Sequence, residues 1–215
     1  MKLHSYFRSS ASFRVRIALG LKGLTYDTLA VHLRRNGGEQ FTPEFRALNP
    51  QALVPVLDTG EHRLTQSLAI IEYLDESFPD PPLLPQSPVE RARVRALALG
   101  VACEIHPLNN LRVLDYLDRE LGVSSQAKTT WYHHWVALGL EALETQLADN
   151  PRTGRFCHGD RPSLADCCLV PQLYNARRFD CDLSAYPTLL SIELNCNALP
   201  AFRDAAPERQ PDTEA

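Results

Sequence analysis

The sequence has no long hydrophobic run and no block of positive charge, and these two absences exclude several classes of protein. No window approaches the roughly 18 consecutive apolar residues that a membrane-spanning helix needs. The N-terminal segment MKLHSYFRSS lacks the apolar core of secretory signals, so we expect a cytoplasmic protein. Lysine and arginine are scattered along a chain of formal net charge -4, so we expect neither a membrane nor a nucleic acid as partner.

Cysteine is absent from the first hundred residues, and the six cysteines that follow show no metal-binding or redox pattern. None forms a C-x-x-C pair, and none stands at a zinc-type spacing from a histidine. The adjacent His133 and His134 would point to different sides of a helix and so make a poor ligand pair. We therefore expect no metal site and mostly buried, reduced thiols.

The remaining composition is that of a globular protein with room for two domains. Of the 215 residues, 44% are hydrophobic and 22% are charged, which excludes a disordered chain and a coiled-coil rod. The segment FPDPPLLPQSPV contains five prolines, so neither a regular helix nor a central strand can persist there. We therefore predict a linker at residues 79–88 between a first domain over residues 1–80 and a second over residues 88–215.

Hydrophobic periodicity predicts an α/β domain followed by an all-α domain. Strands of the first domain are predicted at residues 2–7, 25–31, 53–57 and 62–64. Its helices are predicted at residues 12–22, 42–48 and 66–77. After the linker, helical patterns cover residues 90–121, 127–147, 164–178 and 184–195. A capping box is predicted at Ser163 with Asp166, and the polar segment 205–215 is predicted to be a loose tail.

Two predicted helix starts in the first domain suit a small anionic ligand. The serine cluster Ser9–Ser12 would direct hydroxyl groups and helix amides toward a thiolate or carboxylate, although one serine can be no more than an N-cap. Gln66 and Ser67 offer a second helix start, suited to an amino-acid carboxylate. Val54 before Pro55 can expose a strand edge to a peptide-like ligand. Together these segments indicate a site for a small acidic peptide.

Five segments together resemble the zeta class of glutathione transferases, and the resemblance covers nearly the whole chain. They are SYFRSSASFRVRIAL, NPQALVPVL, QSLAIIEYL, EIHPLNN and SLADCCLVPQ. The resemblance implies a thioredoxin-like domain followed by an all-helical domain, glutathione as cofactor and a homodimer. It also implies an activity, the cis-trans isomerisation of a maleyl keto acid such as maleylpyruvate or maleylacetoacetate.

The resemblance also implies which residues bind glutathione. Ser10, or else Ser9, would face the sulfur, where a hydroxyl donor at a helix N-terminus favours the thiolate. Gln40 would bind the glycine end, and Val54 beside a cis Pro55 would bind the cysteine backbone. The full set of implied contacts is Ser9, Ser10, Gln40, Val54, Pro55, Gln66, Ser67 and Asn110.

The implied substrate carries two carboxylates, for which arginine is the natural partner because its guanidinium can form two parallel hydrogen bonds. The candidates are Arg8, which we also place in the catalytic group, Arg112 and Arg178. His106 could bond a substrate oxygen, or it could simply pack. Against these roles, an arginine on a helix is commonly a solvated surface residue. Arg14 and Arg177 are predicted to be such surface residues.

The sequence departs from the common zeta pattern at Ala11, where a cysteine usually follows the two serines. Any role for a protein thiol beside bound glutathione is therefore absent. His106 and Arg112 make the segment around them look closer to the maleylpyruvate isomerases. Two alternatives share the glutathione contacts: a general transferase acting on α-halo acids or other electrophiles, and a glutathione-binding scaffold without turnover.

Overall fold

The computed structural model describes residues 1–214, which form two compact units. The first unit comprises residues 1–83 together with the chain from residue 197 onward. The second unit comprises residues 84–196. The change from one unit to the other after Leu83 falls within the proline-rich segment.

The first unit is built on a four-stranded mixed sheet of order β2-β1-β3-β4. Strand β1 pairs with β2 in parallel, and the other two pairs are antiparallel. The strands are β1 (Lys2–Ser5), β2 (Asp27–Ala30), β3 (Val56–Asp58) and β4 (Arg63–Thr65). All four overlap the predicted strands, but β3 begins at Val56, so the prediction that this strand contains Pro55 is wrong. Strand β1 is shorter than predicted because the backbone of Phe7 bonds to side chains instead of a neighbouring strand.

Three helices complete the βαβ and ββα halves of the first unit, giving the expected thioredoxin-like arrangement. They are α1 (Ser10–Leu21), α2 (Pro43–Leu48) and α3 (Ser67–Ser77), with 3-10 turns at Arg35–Gly37 and Glu39–Phe41. Helix α1 begins two residues earlier than predicted, because Ser9 is its N-cap and accepts a hydrogen bond from the Ser12 amide at 3.2 Å. The core of the first unit is fully buried and includes Leu3, Ile17, Leu19, Leu57, Ile70 and Leu74.

The named secondary-structure elements of the second unit are all helical, as predicted, and an isolated bridge between Thr153 and Gly159 lies in the loop between two of them. Its α-helices are α4 (Pro88–Leu99), α5 (Leu111–Arg119), α6 (Ser125–Leu147), α7 (Leu164–Arg178) and α8 (Pro187–Asn197). The prediction of uninterrupted helical pattern over residues 90–121 is wrong. A π-helical turn at Gly100–Ile105 and a 3-10 turn at His106–Asn109 interrupt it, since Pro107 has no amide to continue the α-helical bonds.

Helix α7 begins where the sequence predicted, with the expected capping box. The Ser163 side chain accepts from the backbone at Asp166, and the Asp166 carboxylate accepts from the Ser163 amide at 2.7 Å. None of the six cysteines forms a disulfide, and the four buried ones are Cys157, Cys167, Cys168 and Cys196. Mostly buried thiols are therefore confirmed. Among the described residues no helix is both long and apolar enough to cross a membrane.

The prediction of a loose C-terminal tail is wrong for the residues that the structure describes; residue 215 lies outside them. Residues Pro200–Ala205 form helix α9 and Pro207–Arg209 form a 3-10 turn. Phe202 is fully buried, and Ala201 packs so closely on α1 that a Cβ at Gly20 would lie 3.1 Å from its Cβ. Apolar burial against α1 thus assigns this segment to the first unit, whereas the sequence predicted a second domain extending through it.

Candidate active site

The predicted glutathione contacts of the first unit lie in loops that leave the sheet at one edge. His4 near the end of β1 pairs with Val56 at the start of β3, and Val56 pairs with Thr65 at the end of β4. Ser5 pairs with Ala30 at the end of β2. The chain after β1, after β2, before β3 and after β4 therefore emerges at this same edge, and these four loops carry the predicted residues.

The turn between β1 and α1 places the two serines differently. Ser9 is half-buried; its amide donates to the Tyr6 carbonyl at 2.9 Å, and its hydroxyl oxygen caps α1. Ser10 occupies the first position of the helix and is only 4% exposed. Arg8 is exposed, with its guanidinium 4.7 Å from the centre of the Phe7 ring. Ser9 is thus the serine that a ligand can reach more readily, at a helix end that favours negative charge.

The start of α3 lies close to the start of α1. Ser67, the first residue of α3, is 6% exposed and accepts a hydrogen bond from Arg14 Nη1 at 3.3 Å. Gln66 precedes it with a φ of 69°, a left-handed conformation that is uncommon outside glycine, and its side-chain Nε2 donates to Gln51 Oε1 at 2.7 Å. The prediction of Arg14 at the surface is wrong, because this side chain bridges the two helices and is only 2% exposed. Two helix N-termini and a buried guanidinium here favour a carboxylate.

The loop before β3 leaves a peptide unit available for backbone hydrogen bonds. The Val54–Pro55 peptide is cis, as the resemblance implied. Val54 lies two residues before β3, so its N–H and C=O groups are not part of the strand ladder. Its side chain is buried in a cluster with Tyr6 and Phe7, which fixes the loop beside the turn that carries Ser9.

Gln40 contains a buried acceptor that no other described residue satisfies. Its side chain is 5% exposed, and its Nε2 donates to the Leu33 carbonyl at 3.2 Å. Its Oε1 is buried without a hydrogen-bond donor from the described part of the chain. Because an unpaired buried acceptor is costly, Gln40 suits a ligand that brings an N–H group. The loops of the first unit therefore fit a small peptide with carboxylate ends, as glutathione is.

In the second unit, the turn after the π-helical segment and the end of α7 meet on the same part of α6. Asn109 Nδ2 donates to the Tyr132 carbonyl at 3.3 Å, and His133 Nε2 lies 2.6 Å from the Phe179 carbonyl. The Phe179 ring stacks on the ring of Tyr132 with centroids 4.0 Å apart. These contacts bring the segments of the predicted residues His106 and Arg178 to one turn of α6.

The predicted substrate residues of this unit differ in how much the fold uses them. Asn110 is the N-cap of α5, where its Oδ1 accepts from the Arg112 amide at 2.9 Å. Arg112 is exposed, and His106 is half-buried at the start of the 3-10 turn. Arg178 is exposed, with its guanidinium 4.8 Å from the Phe179 ring centre. Two guanidinium groups of this unit are thus accessible to an anion.

Tyr132 and Arg177 behave as structural residues. Burial raises the pKa of the Tyr132 hydroxyl well above its ordinary value, while the charge of Arg178 acts in the opposite direction, so this tyrosine stays protonated. Arg177 forms a bidentate ion pair with Glu193, and this hydrogen bonding raises the pKa of the guanidinium. Its side chain is 49% exposed, which agrees with the predicted surface position.

The roles of Arg14, Arg16 and Asp212 were not predicted from the sequence. Arg16 is 1% exposed and donates to the carbonyl of Phe7 at 3.0 Å, and Asp212 accepts from the amide of Phe7 at 2.9 Å. Two arginines within the apolar pattern FRVRIAL were a signal for the first two, since both fall among residues that the helix buries. No local pattern marks Asp212, because its partner lies 205 positions away in the chain.

Comparisons with known proteins cover nearly the whole chain. The family models of the glutathione S-transferase N-terminal and C-terminal domains match residues 3–82 and 136–204. A probable maleylacetoacetate isomerase of Vibrio cholerae is 56% identical over 98% of this chain and 97% of its own length. A maleylpyruvate isomerase of a Ralstonia species is 51% identical over 99% of this chain and its full length.

Two solved structures are similar over all of both chains. One is the holo structure of a maleylpyruvate isomerase described as a bacterial zeta-class glutathione S-transferase, with a TM-score of 0.96 at 50% identity. The other is a maleylacetoacetate isomerase of Methylobacterium extorquens with bound malonate and glutathione, with a TM-score of 0.96 at 43% identity.

Proposed function

The chain belongs to the zeta class of the glutathione S-transferase family, and we propose that it is a glutathione-dependent cis-trans isomerase that converts a maleyl keto acid to its fumaryl isomer. The observation that carries this proposal is the likeness to isomerases over almost the whole chain, at 51–56% identity. At that identity the substrate chemistry, and not only the fold, is expected to be shared. Such a reaction belongs to the breakdown of aromatic compounds.

The proposal assigns the sheet edge of the first unit to glutathione. When bound, glutathione supplies a thiolate that adds reversibly to the cis double bond, so that the bond can rotate before the sulfur leaves. The Val54 backbone pairs with the cysteine residue of the tripeptide, and the buried Gln40 side chain binds its glycine end. Gln66 and Ser67 at the start of α3 hold the γ-glutamyl carboxylate, with Arg14 behind Ser67 adding positive charge.

A serine hydroxyl at the start of α1 holds the thiol in its ionised form. The sequence favoured Ser10, but the half-buried position of Ser9 and the near-complete burial of Ser10 support Ser9 as the donor to sulfur. A hydrogen bond to the thiolate and the helix N-terminus both lower the pKa of a thiol from its ordinary value of about 8.5. Ser9 also caps α1 through its lone pair, which leaves its proton for the sulfur.

The two serines are separated by measuring the thiolate absorbance of bound glutathione against pH in Ser9→Ala and Ser10→Ala. We expect the thiol pKa to rise in Ser9→Ala and to stay near the wild-type value in Ser10→Ala. A rise in Ser10→Ala alone would return the role to Ser10.

The substrate carboxylates are assigned to the accessible guanidinium groups of Arg8, Arg112 and Arg178, with His106 bonding a substrate oxygen. Their exposure supports this assignment, because it leaves each guanidinium within reach of a ligand in solvent. Maleylpyruvate is the preferred substrate of the two acids on the basis of His106 and Arg112. Asn110 is assigned to glutathione in addition to its role as the N-cap of α5.

This assignment predicts that Arg178→Ala and Arg112→Ala impair isomerisation of the dicarboxylate far more than conjugation of a neutral electrophile. The matched control is Arg177→Ala, because Arg177 is the neighbouring arginine committed to Glu193. Equal losses in both assays would refute the carboxylate assignment. Efficient conjugation of α-halo acids without isomerisation would instead indicate a general transferase.

We also propose that the protein works as a cytoplasmic homodimer. Val89 and Leu99 on α4 and Tyr116 on α5 are apolar side chains that are 69%, 44% and 57% exposed. A second copy of the chain would cover such residues. Light scattering on the purified protein tests this, and a mass near the chain's 24.1 kDa would refute it.

A further inference from the structure

The last residues of the chain adopt a defined conformation on the first unit. Gln210 is 8% exposed, and its side-chain Nε2 donates to the carbonyls of Asp204 and Ala206 at 2.9 and 3.0 Å. The Thr213 hydroxyl donates to the Pro207 carbonyl. These bonds fold the C-terminal tail, residues 207–214, back on itself and fix the position of Asp212 within it.

Asp212 contacts the backbone of the turn that carries Ser9. Its Oδ2 accepts the Phe7 amide at 2.9 Å, and Phe7 stands two residues before Ser9. The carbonyl of the same Phe7 accepts from Arg16 Nη2 at 3.0 Å. The backbone N–H and C=O groups of Phe7 are thus bonded by a carboxylate and a guanidinium. Such charge-assisted hydrogen bonds are stronger than those between neutral groups.

Arg16 joins the same turn to the C-terminal segment from the other side. The guanidinium is buried, and its Nε donates to the Ala205 carbonyl at 2.9 Å. Its Nη1 donates to Ser5 Oγ at 3.1 Å and lies 3.5 Å from the Tyr6 carbonyl, the group that also accepts the Ser9 amide. The turn between β1 and α1 is therefore fixed jointly by α1 and by the end of the chain.

We propose that Asp212 is a positioning residue of the glutathione site, a role that rests on the proposed function: it fixes the turn at residues 6–9 so that the Ser9 hydroxyl keeps its direction toward the thiol. Asp212 itself does not touch glutathione in this scheme. Its effect is transmitted through one peptide group, that of Phe7. Small displacements at such a hydroxyl matter, because a hydrogen bond weakens steeply as its angle departs from linearity.

The test compares Asp212→Ala, Asp212→Asn and Asp204→Ala with the wild-type protein. Asp204 is the matched control, since it is an exposed aspartate of α9 in the same C-terminal part of the chain. The thiolate absorbance of bound glutathione is titrated against pH in each protein, and kcat and KM for glutathione are measured in parallel.

We expect Asp212→Ala to raise the thiol pKa by about one unit, which lowers the thiolate fraction and kcat roughly tenfold at a pH below both thiol pKa values and by less near neutral pH. The KM for glutathione should change less, because the contacts at Val54 and Ser67 remain. Asp212→Asn keeps an acceptor oxygen and should recover part of the loss. Asp204→Ala should match the wild-type protein.

A lower melting temperature in Asp212→Ala with an unchanged thiol pKa and kcat would overturn the proposal, since it would show a merely structural role. If Asp212→Ala does not fold, Asp212→Asn decides, and a wild-type thiol pKa in that variant would overturn the proposal. If the wild-type protein ionises bound glutathione but isomerises neither acid, the proposed function is refuted, whereas the comparison of thiol pKa values among the variants still tests the role of Asp212. If the wild-type protein does not lower the thiol pKa of bound glutathione, both proposals are overturned.

Discussion

Asp166 is a buried acidic residue of the second unit, and its carboxylate holds two chain segments together. Its removal tests how much the pairing of buried backbone amides contributes to the free energy of unfolding. The residue is 0% exposed. Its Oδ1 accepts the Cys157 amide at 2.8 Å, and its Oδ2 accepts the amide and the hydroxyl of Ser163, each at 2.7 Å. One carboxylate therefore caps α7 and fixes the loop that precedes it.

The expected cost of Asp166→Ala follows from the groups that it leaves unpaired. Two buried amides, those of Cys157 and Ser163, lose their acceptor, at about 1–3 kcal/mol each. Burial raises the pKa of the Asp166 carboxyl, so removing the charge relieves part of its desolvation cost. We expect a net loss of about 2–4 kcal/mol in the free energy of unfolding.

Urea denaturation followed by circular dichroism measures this loss. Asp182→Ala is the matched control, because the Asp182 carboxylate also accepts a backbone amide, that of Ser184 at 2.9 Å, but at the surface. We expect Asp182→Ala to shift the midpoint far less than Asp166→Ala. Equal shifts in the two variants would refute the argument that burial of the unpaired amides sets the cost.

Three further predictions concern separate sites. Lys22→Met should lower the free energy of unfolding by about 3–5 kcal/mol, because it removes the buried Lys22 Nζ that lies 2.6 Å from Asp75 Oδ1. Urea denaturation measures this loss, and an unchanged midpoint would contradict it. Burial lowers the pKa of His4 in the folded protein, so the unfolded chain takes up a proton at this residue first as pH falls below about 6.5, and the free energy of unfolding declines. His4→Gln should therefore flatten the pH dependence of the melting temperature in this range. Under native conditions iodoacetamide should modify the exposed Cys103 first, as mass spectrometry would show, whereas burial raises the pKa of Cys181 to about 11 and slows its reaction; modification of Cys181 before Cys103 would contradict this.

The fold could be predicted closely where local signals agree with tertiary packing. The Ser163 and Asp166 pair marked the start of α7. The order of strands and helices along the first unit followed from short apolar runs between glycine, asparagine and proline. The break at Pro107 lay within a strong helical pattern, and periodicity alone does not reveal a π-helical turn. The prediction of a loose C-terminal tail failed for another reason, since the burial of this segment depends on α1, at the opposite end of the sequence.

The candidate site was predictable to the extent that it consists of helix starts and loops. Ser9, Val54 and Ser67 stand at one sheet edge because the strand register brings their loops there, and each was identified from its local sequence. Polarity suggested a surface position for Arg14, yet a buried hydroxyl partner outweighs that preference. Contacts such as that of Asp212 with Phe7 join the two ends of the chain, and no local pattern encodes them.

The central claim is tested most directly by mixing the purified protein with maleylpyruvate, with and without glutathione, and following the fumaryl product, with maleylacetoacetate measured alongside. The account predicts rapid conversion that requires glutathione, with maleylpyruvate converted faster than maleylacetoacetate. Absence of conversion of both acids, in a protein that binds glutathione tightly, would contradict it.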